Sequence, residues 1–292
     1  MITSIVFSKD RALQLDLALK SIKTNFRQSG SIVVLYNCSD DPHKRSYGVL
    51  SKEHPDVEFV RQSARFPEWE LSGIFADIEK IIALSADEYI CFFTDDDIVY
   101  QSVQFAESAL MALFQRQASC LSLRLGTNTD MRDYGDGVLK KDFVPHCSWE
   151  DPFLIWNRTS IPIGGYWSYP LSVDGHVFRK DTMRVFAKEL NILDGSGQFD
   201  WGQTPNVFEV KLQRFWFELP PLMGSLKESH VVNSPNNRVQ ETFENSHGRE
   251  YSYDQDFLKD KFNEGKRIDL DKINFGKIVC PHQEIDILGG LS

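Results

Sequence analysis

Three consecutive carboxylates, Asp95-Asp96-Asp97, follow directly on the apolar run Tyr89-Ile90-Cys91-Phe92-Phe93-Thr94. Such a run, with no polar partner in it, reads as a strand buried on both faces. Aspartates at its end repel one another unless a cation or water offsets their charge. Open α/β sheets bind ligands at the carboxyl ends of their strands, so the triplet falls where chemistry is expected. Hard carboxylate oxygens suit Mg²⁺ or Mn²⁺, ions commonly shared between one or two carboxylates and a diphosphate. The same triplet would also serve as a solvated turn ahead of a helix N-terminus, where aspartates are favoured.

The elements that must position this triplet alternate along the first hundred residues. Ile2–Phe7 reads as a strand, and Leu15, Leu19, Ile22 and Phe26 mark a helix over residues 12–26. Ser31–Tyr36 is a second buried strand, closed by the turn-rich Asn37-Cys38-Ser39-Asp40-Asp41-Pro42. Val57–Val60 is a short third strand, and Leu71, Ile74, Phe75, Ile78, Ile81 and Ile82 share one helix face. A βαβαβ succession implies an α/β fold, a mostly parallel sheet flanked by helices.

Beyond the triplet, Val103, Ala106, Leu110 and Phe114 are spaced for a helix, and Cys120–Leu125 reads as another strand. Residues 126–173 lose periodicity and are rich in Gly, Pro and aromatics. Their rings suit sugar faces as well as a second core layer. Gly175–Arg179 is strand-like, Asp181–Leu190 and Val207–Phe217 are regular, and residues 233–248 form a polar loop. One domain over residues 1–245 is expected, with halves at 1–100 and 101–245 and a C-terminal extension over 246–292.

The order of elements ending in Asp95-Asp96-Asp97 resembles the DxD element of GT-A glycosyltransferases. Ile5-Val6-Phe7-Ser8-Lys9-Asp10-Arg11, with the helix after it, is similar to the opening strand, loop and helix of family-2-like members. Val33-Val34-Leu35-Tyr36-Asn37-Cys38-Ser39-Asp40-Asp41 resembles their second strand and its acidic turn. The resemblance implies a nucleotide-sugar donor, UDP-linked in most members, bound by Ser8, Arg11, Asn37, Asp95 and Asp96. It gives Asp95 the ribose and Asp97 the metal that bridges the phosphates. Arg11 also reads as a surface arginine at a helix start.

In the second half, Gln198-Phe199-Asp200-Trp201-Gly202 resembles the Asp-Trp pair of the N-acetylglucosaminyltransferase I family, and also the Trp-Gly-Gly-Glu-Asn element of polypeptide GalNAc-transferases. The first family inverts and the second retains. Asp200 is the leading candidate for an inverting base, with Glu209 and Asp174 behind it, and it would equally serve as a helix N-cap. GT-A enzymes often take a second metal ligand from a late histidine. His230 fits that place, ahead of Asn237 and Arg238, which could close over the diphosphate. A structural histidine is the alternative. The pairs Pro145-His146-Cys147 and Cys280-Pro281-His282 lack metal-site spacing.

Composition narrows the classes. Thirty-two basic against 42 acidic residues give a net charge of −10, which disfavours nucleic acid as a partner and makes an anionic donor dependent on local cations or a metal. Five scattered cysteines without a C-x-x-C pair argue against a disulfide framework and favour a reducing compartment. No signal segment or 18-residue apolar run is read, so a cytoplasmic protein is expected, with peripheral membrane association left open. A saccharide or glycan is the expected acceptor. Two rival readings share the fold: a sugar-nucleotide nucleotidyltransferase and a non-catalytic carbohydrate-binding scaffold. The first expects a glycine-rich loop after the first strand, and Phe7–Arg11 has no glycine.

Overall fold

In the computed structural model the described residues are 1–64, 73–133, 138–196, 203–238 and 248–292. In chain order the elements begin with β1 (Ile2–Lys9), α1 (Ala12–Asn25), β2 (Ser29–Asn37), α2 (Asp41–Glu53) and β3 (Glu58–Arg61). Next come α3 (Ile74–Leu84), β4 (Tyr89–Thr94), β5 (Asp97–Val99), α4 (Glu107–Gln115) and β6 (Ala118–Ser122). Four short strands follow: β7 (Met131–Asp133), β8 (Leu139–Lys141), β9 (Ser148–Glu150) and β10 (Phe153–Asn157). The remainder is β11 (His176–Arg179), α5 (Lys180–Gly195), α6 (Pro205–Leu212), β12 (Leu222–Ser225), β13 (Val231–Asn233) and α7 (Gln255–Asn263).

Among the described residues, nine strands form one sheet in the order β3-β2-β1-β4-β11-β6-β12-β10-β9. The β1, β2, β3 and β4 strands are parallel, as the alternation of strands and helices requires. The β11 strand is antiparallel to both neighbours, β4 and β6, so its first residue lies at the carboxyl edge of β4. That reversal decides the site, because it brings the residues before one strand to the residues after another.

Side chains alternate across the sheet. Ile5, Phe7, Ile90 and Phe92 pack on one face with α3, α5 and α6, while Val6, Cys91 and Phe93 pack on the other with α1 and α4. The second face also receives Leu258 and Phe262 of α7, and Ile268, Ile273, Ile278, Ile285 and Ile287 beyond it. The C-terminal segment therefore shares the core of the N-terminal half. Trp156 and Trp167, from the irregular stretch, pack against each other at 4.9 Å inside the core.

The structure adds elements to the sequence reading. Helix α2 occupies the stretch after the acidic turn, with Asp40 accepting from the His43 amide as its N-cap and Pro42 in its first turn. The β10, β9 edge extends the sheet through residues read as loop.

Candidate functional site

A cavity of about 710 Å3 opens at the carboxyl edge of β1, β2 and β4, where the fold class places ligands. Strand β1 ends in Ser8 and Lys9, and Asp10 then turns the chain with φ of 57°. Asp10 holds that conformation by accepting from the Ser39 amide at 2.8 Å and from Ser39 Oγ at 2.6 Å. The turn swings the buried Arg11 back over the acidic triplet.

Asp95 stands at the centre of this half. It accepts from Ser8 Oγ at 2.8 Å, the Lys9 amide at 3.1 Å and Arg11 Nη1 at 2.9 Å. Burial pushes its carboxyl up to about 6, against the pull of Arg11. The same Arg11 nitrogen lies 2.8 Å from Asp96 Oδ2, and Nη2 donates to the Asn237 carbonyl. Arg11 stays charged despite burial because Asp96 and Asp95 face it. The acidic chain thus carries its own cation at the point where carboxylates crowd.

Asp97 takes a different place. It is fully buried, accepts from the Thr94 amide at 2.8 Å and from Asn233 Nδ2 at 3.1 Å, and does not line the cavity. Burial, then the charges of Asp174 and Asp96, hold its carboxyl well above the usual range. Asp97 fastens the turn, and Asp95 and Asp96 face the open space. Asn233 Nδ2 also lies 2.9 Å from Asp96 Oδ1 and 3.1 Å from Thr94 Oγ1.

Opposite the triplet lies a second acidic group. Asp174 precedes β11 and pairs with Arg124 Nη1 at 2.7 Å. Gly175 makes the turn with φ of 68°, and a Cβ there would meet Val231 at 3.1 Å. Glu209, on α6, accepts from the Val173 amide at 3.4 Å and faces the same cavity. Burial and then the Asp174 charge push the Glu209 carboxyl up to about 8. His282 completes the group, with Nε2 3.0 Å from Arg124 Nη1 and 3.5 Å from Asp174 Oδ2. Its ring stacks on Tyr166 at 5.5 Å, and burial with Arg124 pushes it down to about 4. Arg124 donates, so Nε2 carries the lone pair.

Of the residues expected from sequence, Ser8, Arg11, Asn37, Asp95, Asp96, Asp174, Glu209 and Arg238 all line this cavity. Asp200 lies outside the described residues. His230 does not line the cavity; its ring turns to the main chain of Gln101 and Ser102, and burial lowers its pKa. Arg124 and His282 on the cavity wall were missed from sequence, while Tyr166 and Tyr169 there come from the aromatic stretch singled out for sugar faces. The signal for His282 was present in the Cys280-Pro281-His282 pair, set aside for its spacing.

Among the described residues no group of three His, Cys, Asp or Glu side chains is assembled for a metal. Two donors suffice for Mg²⁺ or Mn²⁺ when a diphosphate supplies the rest. The donor chemistry fits at the Asp96 carboxylate, and at His282 once its Nε2 lone pair, given to Arg124 Nη1 in this arrangement, passes from the guanidinium to the ion. Asp97 and His230 have no face on it.

No family model matches the chain. The bifunctional glycosyltransferase pgtA of Dictyostelium discoideum is 22% identical over 264 residues, which is 82% of this chain and 32% of that protein. The chain thus spans about a third of the length of this curated relative. Among solved structures, TarS of S. aureus in complex with UDP-GlcNAc has a TM-score of 0.45 and 12% identity, over 82% of this chain and 59% of that one. The mannosyltransferase PcManGT of Pyrobaculum calidifontis, in complex with GDP-Man and Mn²⁺, has a TM-score of 0.28 and 15% identity, over 41% and 34%. At this level of likeness no residue role is transferred. No helix among the described residues is long and apolar enough to cross a membrane.

Proposed function

We propose that the chain is a glycosyltransferase of the GT-A type, moving a sugar from a nucleotide diphosphate donor to a hydroxyl on a saccharide acceptor. The observation that carries this reading is the single cavity joining the Asp95-Asp96 turn to the Asp174 and Glu209 carboxylates. Similarity to a curated glycosyltransferase over most of the chain supports it. The donor nucleotide, UDP in this proposal, lies against Ser8, Arg11, Asn37 and Asp95. Asp95 is pinned from three sides and so presents a fixed acceptor to ribose hydroxyls.

Asp96 and His282 would hold a divalent ion together with the donor's phosphates, in place of the Asp97 and His230 pair expected from sequence. Bound there, such an ion withdraws charge from the departing diphosphate. Arg238 and Arg11 add cationic groups on the same side. Tyr169 offers its ring to the acceptor sugar, beside the Tyr166 ring that His282 covers.

The base of the proposal is Glu209. A carboxylate whose pKa stands near 8 is matched to taking a proton near neutral pH. The acceptor hydroxyl gives its proton to Glu209 as its oxygen bonds to the anomeric carbon. The bond from that carbon to the diphosphate breaks, and the leaving group departs with the electron pair. Asp174, beside Glu209, is paired to Arg124. Thermal-shift titration of UDP, GDP and CDP with and without Mn²⁺ tests the donor half, because a ligand of the native state raises the melting temperature. If no nucleoside diphosphate stabilises the protein, the scaffold reading takes its place.

A further inference from the structure

The donor half is held by a residue that never touches the cavity. Tyr47 comes from α2, its ring is fully buried, and it stacks on Tyr36 with centroids 4.5 Å apart. Its hydroxyl lies 2.6 Å from Ser8 Oγ and 3.3 Å from the Arg11 amide. Ser8 has one hydroxyl hydrogen, and that hydrogen goes to Asp95. The hydrogen between Tyr47 and Ser8 therefore belongs to Tyr47. The Arg11 amide in turn donates to the Tyr47 oxygen. The result is one directed chain, from the Arg11 amide through Tyr47 and Ser8 to Asp95, which the Arg11 guanidinium closes on the far side. Every hydrogen in it has a single place to go.

From this geometry we infer that Tyr47 is a positioning residue for donor binding, orienting Ser8 and the Arg11 turn so that Asp95 meets the nucleotide in one fixed arrangement. The inference rests on the reading of the cavity as a nucleoside diphosphate site. Removing the Tyr47 hydroxyl leaves the ring and its stacking in place. It also leaves the Ser8 oxygen without the donor that fixes its orientation, and the Arg11 amide without its acceptor.

The test is a double-mutant cycle with Tyr47→Phe, Ser8→Ala and the double variant, read as the dissociation constant for UDP in the presence of Mn²⁺. Tyr47→Phe is expected to weaken UDP roughly tenfold, the scale of one well-placed buried hydrogen bond. The double variant should lose little more than the Ser8→Ala single, because both act through one chain. In turnover assays the loss should appear in the donor KM, with kcat within about twofold. Wild-type UDP affinity in Tyr47→Phe, or losses that simply add in the double variant, would overturn the inference. A fall in melting temperature with unchanged affinity would make Tyr47 a packing residue only. Failure of the cavity reading looks different, since the wild-type protein would then bind no UDP at all.

Discussion

Asn233 and His282 pair as neighbours in a single parallel bridge, the Asn233 amide donating to the Pro281 carbonyl at 2.9 Å and the Gln283 amide returning to the Asn233 carbonyl at 3.0 Å. The side chain of the same asparagine grips Asp96 and Asp97. One residue thus sets the span between the acidic turn and the imidazole. Asn233→Ala is expected to weaken Mn²⁺ affinity by about 10–100-fold, as losing a supporting partner of metal ligands does. It should also cost about 1–3 kcal/mol of stability by leaving buried acceptors unmet. Metal titration and urea unfolding read the two effects separately, and lost stability with intact metal affinity would reduce Asn233 to a scaffold role.

His282 and His230 make opposite expectations. His282→Ala should lower Mn²⁺-dependent nucleotide affinity by about 10–100-fold. His230→Ala should leave that affinity within about twofold, because its ring turns to the main chain of Gln101 and Ser102. Isothermal titration of both variants decides between them. The reverse order of effects would restore the assignment made from sequence.

The base can be identified from the pH profile. Glu209 must lose its proton before it can accept one, so kcat/KM should climb with pH up to about 8. Glu209→Gln should reduce turnover by roughly 10²–10⁴ while leaving nucleotide binding nearly unchanged. A rate already level above about pH 5, the behaviour of an ordinary carboxylate, would move the role to Asp200.

The same carboxyl bears on stability. Its pKa rises from 4.5 to about 8 on folding, so the native state holds the proton more tightly than the unfolded chain does. The stability this contributes is full below the unfolded value and is lost as pH rises through the folded one. Glutamine never ionises. Glu209→Gln should therefore match the wild-type melting temperature near pH 4 and exceed it by a growing margin towards pH 8. Calorimetry across that range is the check, and a constant difference would show that the Glu209 proton is not linked to folding.

The legible parts of the fold are those with a strong apolar period. Strands β1, β2 and β4 and helices α1 and α3 follow from runs such as Ile-Val-Val-Leu and from the spacing of Ile74, Ile78 and Ile81. Helix α2 was hidden because it buries only His43, Ser46, Tyr47 and Leu50, a stripe too polar to stand out. The direction of β11 was not legible at all, since a short strand reads alike both ways and its partners set its sense. Eight site residues stood out by type and motif. Within the triplet, which aspartate faces the cavity depends on the fold of one turn, where the Thr94 amide captures Asp97. His282 sits in irregular chain with no period to announce it.

Closure of the cavity by residues as far apart as Ser8 and His282 has a consequence for synthesis. A chain emerging from the ribosome has its nucleotide half, strands β1 to β4, long before the segment that supplies the imidazole. At about 5–20 residues per second the interval between Asp96 and His282 is on the order of ten seconds or more. Through that interval the face of α1 that later receives α7 and the isoleucines beyond it stays open to solvent. The nascent protein is therefore without its finished site until His282 and the segment around it have emerged, and until then the apolar face of α1 is a place for a chaperone to hold.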